Sequence, residues 1–287
     1  MSVLITVPEL AAWLADPARA SGLVLLDVQF RLSHPRLPAG PSGSQLYAEA
    51  HLPGARFVDL DSVLADPPGP RGRHPLPDME RLQAALRDLG VDDDSVIVTY
   101  DEGNAMSAAR AWWVVSYAGL SGVRVLDGGL AAWRAAGLQV TAAVPSAAEP
   151  GTVTVRPGGL PVLDADAAGE LARTGLLLDA RSPERYAGRS EPIDPVAGHI
   201  PGAANAPMSD YVADDGRFLG REKLHGYFAD LGAFDHARVG VYCGSGITAA
   251  HLALALREIG IPAALYAGSW SEWVADPARP VATGGNP

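Results

Sequence analysis

The sequence predicts an α/β protein in which one fold is used twice, as two tandem domains that are each a parallel sheet flanked by helices. The first observation behind this is internal repetition. Leu23-Val-Leu-Leu-Asp27 returns as Leu176-Leu-Leu-Asp179, and His51-Leu-Pro-Gly-Ala55 returns as His199-Ile-Pro-Gly-Ala203. Val96-Ile-Val-Thr-Tyr100 returns as Val239-Gly-Val-Tyr242, and Asp127-Gly-Gly-Leu-Ala-Ala-Trp133 as Ala267-Gly-Ser-Trp-Ser-Glu-Trp273. The order is kept, and the offset drifts only from 152 at Asp27/Asp179 through 148 at His51/His199 to 140 at Trp133/Trp273, as a few loop residues gained or lost would produce. The second observation is that short apolar runs alternate with amphipathic helical runs, the pattern of a parallel sheet covered on both faces. The third is length: 287 residues suit two ordinary domains.

The first element reads as a helix. Thr6 and Glu9 have capping-box spacing, Pro8 falls in the first turn where its missing N–H costs nothing, and Leu10, Trp13 and Leu14 follow at helical spacing. This start has neither the basic nor the long apolar stretch of a signal peptide. With a single cysteine in the chain, the expected compartment is the cytoplasm. The first domain is expected over residues 1–143. Residues 141–161 are rich in Ala, Pro, Gly and Ser, and Pro145, Pro150, Pro157 and Pro161 break regular structure, so a linker is expected over 144–161, with at most one short strand around Val153 and Val155. The second domain is expected over 162–287. There residues 176–178 and Val239–Tyr242 read as buried strands, and residues 249–259 as a helix with Leu252, Leu256 and Ile259 on one face and Gly260 ending it. Parallel sheets of this kind bind ligands at the carboxyl ends of their strands, where Cys243 stands.

Composition narrows the function. The chain is 48% hydrophobic and 19% charged, which suits a globular core. A net charge of −11 disfavours nucleic acid and anionic membrane as partners. No apolar run reaches the roughly 20 residues that a bilayer crossing needs. One cysteine excludes an intramolecular disulfide framework and multi-thiolate metal sites, and the seven histidines have no metal-ligand spacing. Neither a metal nor a cofactor is expected.

The lone cysteine lies in Val239-Gly-Val-Tyr-Cys243-Gly-Ser-Gly-Ile-Thr248, a buried strand running into a loop and then a helix. Gly244 and Gly246 allow the loop to turn successive N–H groups toward the sulfur as an anion nest. Thr248 is the expected N-cap, and the helix start adds about half a positive charge. Such a loop stabilises an anion on sulfur. A structural thiol at the end of a core strand has no need of these glycines. A cysteine phosphatase would carry arginine where Ala249 stands, to clamp the phosphate oxygens.

These features together resemble the two-domain sulfurtransferases, the rhodaneses and the 3-mercaptopyruvate sulfurtransferases. The resemblance rests on the duplicated halves, the two His-(Leu/Ile)-Pro-Gly-Ala segments, Gly268-Ser-Trp-Ser-Glu-Trp273 and the Cys243 loop, and covers almost the whole chain. It implies two rhodanese-like domains, the first inactive and the second carrying the catalytic cysteine. In line with this, the matching strand of the first half ends at Asp101. The resemblance implies a Cys243 persulfide, loaded from a small-molecule donor and unloaded to a thiol or cyanide, with thioredoxin a candidate acceptor. It places the donor against Arg185 and the loop residues Gly244, Gly246, Ile247 and Thr248. The loop is similar to that of mercaptopyruvate enzymes, because Gly244 and Ser245 stand where thiosulfate enzymes carry basic side chains. By the same resemblance, Ser245 works with His74 and Asp61 of the first domain in moving protons. The plainer roles for these two are a surface-loop histidine and a helix N-cap.

The chain departs from the family pattern at one point: nine positions after Arg185, where a second substrate arginine belongs, stands Asp194, and Arg189 is out of register. Arg110 could reach the interdomain cleft, but the favoured role is a structural ion pair. His51 and His199, present in both halves, are expected to be structural, Asp179 to organise its loop, and Asp92-Asp-Asp94 to lie in a solvated turn. The resulting expectation is a cytoplasmic sulfurtransferase using 3-mercaptopyruvate or thiosulfate. The alternatives are a thiosulfate-preferring rhodanese and a non-enzymatic persulfide carrier or redox-sensing module.

Overall fold

In the computed structural model, which describes residues 2–285, the chain forms two five-stranded parallel sheets. In the first half β1 (Leu4–Ile5), β2 (Leu23–Asp27), β3 (Arg56–Phe57), β4 (Val96–Tyr100) and β5 (Val123–Leu126) lie in the order β1-β5-β4-β2-β3. In the second half β6 (Val162–Leu163), β7 (Leu176–Asp179), β8 (Ala204–Asn205), β9 (Val239–Tyr242) and β10 (Ala263–Tyr266) repeat that order as β6-β10-β9-β7-β8. The central strands β7 and β9 are buried along their whole length, as continuous apolar runs in a doubly covered sheet should be. The edge strands are two residues long and leave little unpaired backbone. From β7 the chain crosses to one side of the sheet and from β9 to the other. The crevice at the carboxyl ends of these two neighbours is therefore the topological switch point where such sheets bind ligands.

The duplication extends to hydrogen bonds. Tyr47 Oη donates to Ala55 O at 2.8 Å, and Tyr186 Oη to Ala203 O at 2.6 Å. His51 stacks on Tyr47 and His199 on Tyr186, with ring centroids 3.9 and 3.8 Å apart, and each Nδ1 lies 2.8 Å from the carbonyl of its tyrosine. Tyr100 Oη and Tyr242 Oη accept from the backbone N–H groups of Leu52 and Ile200. Both histidines are fully buried in these frameworks, away from the cleft.

The helices Met106–Tyr117, after β4, and Ile247–Glu258, after β9, pack on each other and merge the cores of the two halves. Both are apolar nearly all round because each lies between a sheet and the other helix. The second of them starts two residues earlier than its periodicity predicts. Its N-cap is Gly246 at φ +80°, not Thr248, which lies in the first turn with its hydroxyl 3.7 Å from Met106 Sδ. A Cβ on Gly246 would stand 2.5 Å from the Ala267 carbonyl oxygen, so glycine is required there on grounds of both dihedral and space. The helix Val7–Ala15 has the capping box expected of Thr6 and Glu9. No strand forms at Val153. Residues 151–153 are held to the first half by Gly151 N to Arg87 O and Val153 N to Val91 O. Asp93 and Asp94 form the expected exposed turn, and Asp92 and Asp93 accept from Thr152 and Thr154, so the acidic run also anchors this segment.

Candidate active site

Cys243 follows β9 directly and is 2% exposed. Gly246 N–H donates to its sulfur at 3.2 Å. Of the several N–H donors the loop glycines suggest, this is the one recorded at Sγ among the described residues. The loop itself is pinned from the neighbouring segment: Cys243 N–H donates to Ser269 Oγ at 3.1 Å, Trp270 N–H to Cys243 O, and Ser271 N–H to Gly244 O, both at 2.9 Å. The sulfur opens on a cavity of about 700 Å³, lined by Phe30, Arg73 and Met106 of the first half and Arg185, Cys243 and Gly244 of the second.

The first half shows what such a loop is built to hold. At the matching strand end, the fully enclosed Asp101 carboxylate accepts N–H bonds from Gly103, Ala105, Ser107 and Ala108 and a hydroxyl bond from Ser107. One copy of the loop thus closes on its own carboxylate, and the other presents a thiol to a cavity.

Asp61, His74 and Ser245 come together across the domain boundary. His74 Nδ1 lies 2.8 Å from Ser245 Oγ, and His74 Nε2 lies 3.3 Å from Asp61 Oδ1. An ionised carboxylate can only accept, so in neutral His74 the proton sits on Nε2 and Nδ1 accepts from the Ser245 hydroxyl. His74 is buried and is not a surface-loop residue. Asp61 lies in the first turn of the short helix Leu60–Val63, whose N-cap is Asp59. The His74 segment reaches the second half because Gly72, at φ +98°, lets the backbones meet. A Cβ there would fall 2.6 Å from the Gly268 carbonyl oxygen, and the next N–H, of Arg73, donates to Ser271 Oγ at 3.0 Å. Burial pushes the His74 imidazole below its ordinary pKa, aided by the charges of Arg110 and Arg73, while Asp61 pulls the other way.

Arg110 departs from the structural ion pair expected of it. It is fully buried and has no carboxylate partner among the described residues. Its guanidinium donates to four carbonyls: Leu64 O (3.2 and 3.1 Å), His74 O (3.0 Å), Pro75 O (3.1 Å) and Gly246 O (3.3 Å). Burial draws its pKa down to about 10, and the ionised thiol of Cys243 is the one group that pushes it back up. The packing of Arg110 into the domain boundary therefore sets a buried cation behind the sulfur.

Arg185 holds Glu191 through Nε (3.0 Å) and Nη2 (2.8 Å), and its Nη2 also reaches Asp194 at 3.1 Å. Asp194 is buried, and its other oxygen accepts from Arg73 Nη1 at 2.8 Å. Arg189 is exposed. Asp179 anchors Arg181, whose guanidinium lies over the Trp270 ring, and so organises the loop as expected. Gly244 lies under the arginines, and Ile247 and Thr248 line the cavity. Arg73 is the site residue that sequence reasoning missed. Its partner Asp194 lies 121 residues away, and no local pattern announces that pairing.

A rhodanese-like domain family model matches residues 10–136 and 164–276. The chain is 47% identical over 288 residues to a Pseudomonas aeruginosa protein named as a 3-mercaptopyruvate sulfurtransferase, covering 98% of each. It is 46% identical over 295 residues to SseB of Mycobacterium tuberculosis, named as a thiosulfate sulfurtransferase, covering 98% of this chain and 97% of SseB. It superposes on the crystal structure of SseA from Escherichia coli, described as having the "rhodanese" fold and the mechanism of 3-mercaptopyruvate sulfotransferases. The TM-score is 0.81 at 31% identity, covering 94% of this chain and 100% of SseA.

Proposed function

Because the chain belongs to the rhodanese-like family of sulfurtransferases, we propose that it moves a sulfane sulfur from a small anionic donor to a thiol through a persulfide on Cys243, with 3-mercaptopyruvate as the preferred donor. The observation that carries this reading is the contact of His74 with Ser245, which lines the cavity that Cys243 faces. In the first half-reaction the Cys243 thiolate attacks the donor sulfur. The new S–S bond forms as the C–S bond breaks, and the carbon keeps the electron pair as the pyruvate enolate. The Ser245–His74–Asp61 chain takes the proton of the donor's S–H and returns it to the enolate carbon, leaving pyruvate and a persulfide anion. Gly246 N–H and the Arg110 charge stabilise the sulfur anion in both forms. In the second half-reaction an acceptor thiol attacks the outer sulfur, and Cys243 leaves as thiolate. Cyanide can play the same part, giving thiocyanate. The chain has no second cysteine to resolve its own persulfide, so a dithiol such as thioredoxin suits the acceptor role. A lone free thiol suits the reducing cytoplasm. Among the described residues no helix is long and apolar enough to cross a membrane.

Thiosulfate is the second reading, favoured by the two guanidiniums above Gly244. It needs no proton relay, because sulfite leaves as a stable anion. The test is Ser245→Ala assayed with both donors. Turnover of 3-mercaptopyruvate should fall roughly 10²-fold, the scale of a lost proton-transfer group, and that of thiosulfate by less than about threefold. Equal losses with both donors, or none, would overturn the proton-relay role. A protein that loads sulfur once and does not cycle would instead be a carrier.

pH provides an independent check. The relay starts from neutral His74, whose pKa burial holds below the ordinary value of 6.5. The rate with 3-mercaptopyruvate is therefore expected to be level from pH 7.5 down to about 6.5 and to decline only in more acidic solution. Asp61→Asn removes a contact that raises the His74 pKa, so the acid limb should move to lower pH. A limb that moves upward in this variant contradicts the arrangement.

A further inference from the structure

We infer that Ser269 is a positioning residue for the Cys243 sulfur: a serine kept in a strained backbone conformation for its hydroxyl, which fixes the peptide that carries the thiol. This rests on the sulfurtransferase reading and deepens it, since it gives a part in the reaction to a residue that does not line the cavity.

Backbone strain marks the place. Among the described residues, Ser269 and Ala105 are the two non-glycine residues with positive φ, at +55° and +58°. This left-handed region is unfavourable for a residue with a side chain and open to glycine. Ala105 belongs to the first-half loop, where its N–H donates to Asp101 Oδ1 at 3.0 Å. For Ser269 the duplication shows what the serine replaces. Its counterpart in the repeated motif is Gly129, at φ +54°. The surroundings correspond as well. Leu130 N–H donates to Asp101 O and Trp270 N–H to Cys243 O, both at 2.9 Å. Ala131 N–H donates to Glu102 O at 2.8 Å and Ser271 N–H to Gly244 O at 2.9 Å. The same dihedral in the same frame is thus met by glycine in the half without a thiol and by serine in the half with one. The first half has no room for a side chain here, since a Cβ on Gly129 would stand 2.4 Å from Asp101 O.

What serine adds is a hydroxyl. It is fully buried, accepts from Cys243 N–H at 3.1 Å and donates to Tyr266 O at 2.8 Å. Tyr266 ends β10, the strand paired with β9, so the hydroxyl ties the Cys243 peptide to the end of the neighbouring strand. In the proposed cycle the sulfur alternates between thiolate and persulfide. Its contact with Gly246 N–H, at 3.2 Å, survives both states only if the Cys243 backbone stays still. Strain persists where the surroundings overdetermine it, and it gathers at functional sites. At this position it is present in the half that must hold a sulfur in place and absent from the half that need not.

The test is Ser269→Gly and Ser269→Ala in the full chain, by steady-state kinetics with 3-mercaptopyruvate and thiosulfate, iodoacetamide alkylation of Cys243 at neutral pH, and thermal unfolding. Both variants should lose about tenfold in kcat with the two donors alike, the scale of a slightly misplaced reacting group, with KM within about twofold of wild type. Alkylation should slow severalfold. The equal loss distinguishes Ser269 from Ser245, whose removal should tell mainly on 3-mercaptopyruvate. Stability should part from activity. Ser269→Gly relieves the strain and should unfold close to the wild-type temperature, whereas Ser269→Ala keeps the strain without the hydrogen bonds and should unfold lower. Should the alanine variant fail to fold, the glycine variant carries the test. If the wild type cycles donors and Ser269→Gly keeps the wild-type kcat and alkylation rate, or changes KM alone, the role of Ser269 is overturned while the sulfurtransferase reading stands. If the wild type cycles neither donor but alkylation slows in Ser269→Gly, the positioning role stands and the sulfurtransferase reading fails. Absence of turnover together with unchanged alkylation overturns both.

Discussion

Arg110→Met is expected to damage stability and sulfur transfer together, although Arg110 lies in the domain without the reactive thiol. Its guanidinium satisfies four carbonyls at the boundary of the halves, those of Leu64, His74, Pro75 and Gly246. Methionine fills similar volume but donates nothing. Pro75 O keeps the N–H of Asp66, while each of the other three carbonyls left without a donor costs on the order of 1–3 kcal/mol before relaxation, so a total loss of roughly 3–5 kcal/mol is expected in chemical unfolding. The second effect is electrostatic. Arg110 is a buried cation one residue removed from the sulfur through Gly246, whose carbonyl it binds and whose N–H reaches Cys243 Sγ. Losing this charge is expected to slow the reaction of Cys243 with iodoacetamide at neutral pH. Arg110→Lys separates the two effects: it keeps the charge and loses the fork, so it should recover alkylation rate more than stability. An Arg110→Met protein of wild-type stability and thiol reactivity would show that the cation has neither role.

Cys243→Ser is expected to reduce sulfur transfer from both donors by at least about 10³-fold, to the uncatalysed level. The serine hydroxyl stays protonated where a thiol can ionise, and an S–O adduct is no substitute for a persulfide. The change removes one buried sulfur atom and retains the loop that Ser269, Trp270 and Ser271 pin from outside, so the fold should persist with a stability change of ~1 kcal/mol. Donor binding should also persist, because the arginines that face the cavity do not depend on the sulfur. A folded Cys243→Ser protein that still cycles either donor would remove the nucleophile from the account.

Much of the fold was legible because it is written twice. Strands such as Val239–Tyr242 declare themselves by continuous apolar burial, and the order of four motifs gave the duplication before any element was placed. The Thr6–Glu9 capping box is legible because both partners lie within one helical turn. The start of the helix Ile247–Glu258 was harder. A threonine suggested a side-chain cap, but the glycine before Ile247 makes the turn with its backbone. Charged residues were legible only as far as their partners are local. Asp179 and Arg181 are two residues apart, and the organising role follows from that spacing. Arg110 takes its meaning from a contact 136 residues away at Gly246, and Arg73 and Asp194 from each other, 121 residues apart across the domain boundary, so composition favoured an ordinary ion pair for Arg110 and offered no signal for Arg73. The departure at Asp194 was visible in the sequence, but its partner Arg73 lies in the other half of the chain.

The central claim is that Cys243 carries the transferred sulfur, and intact-protein mass measurement tests it most directly. The wild-type chain treated with 3-mercaptopyruvate without acceptor, then alkylated, should gain the mass of one sulfur atom beyond that of the alkyl group, located on the peptide containing Cys243 and lost when thiol acceptor is added. Cys243→Ser treated in the same way should gain nothing. Pyruvate release from the wild type with no sulfur retained on Cys243, or the same added mass in Cys243→Ser, would contradict the account.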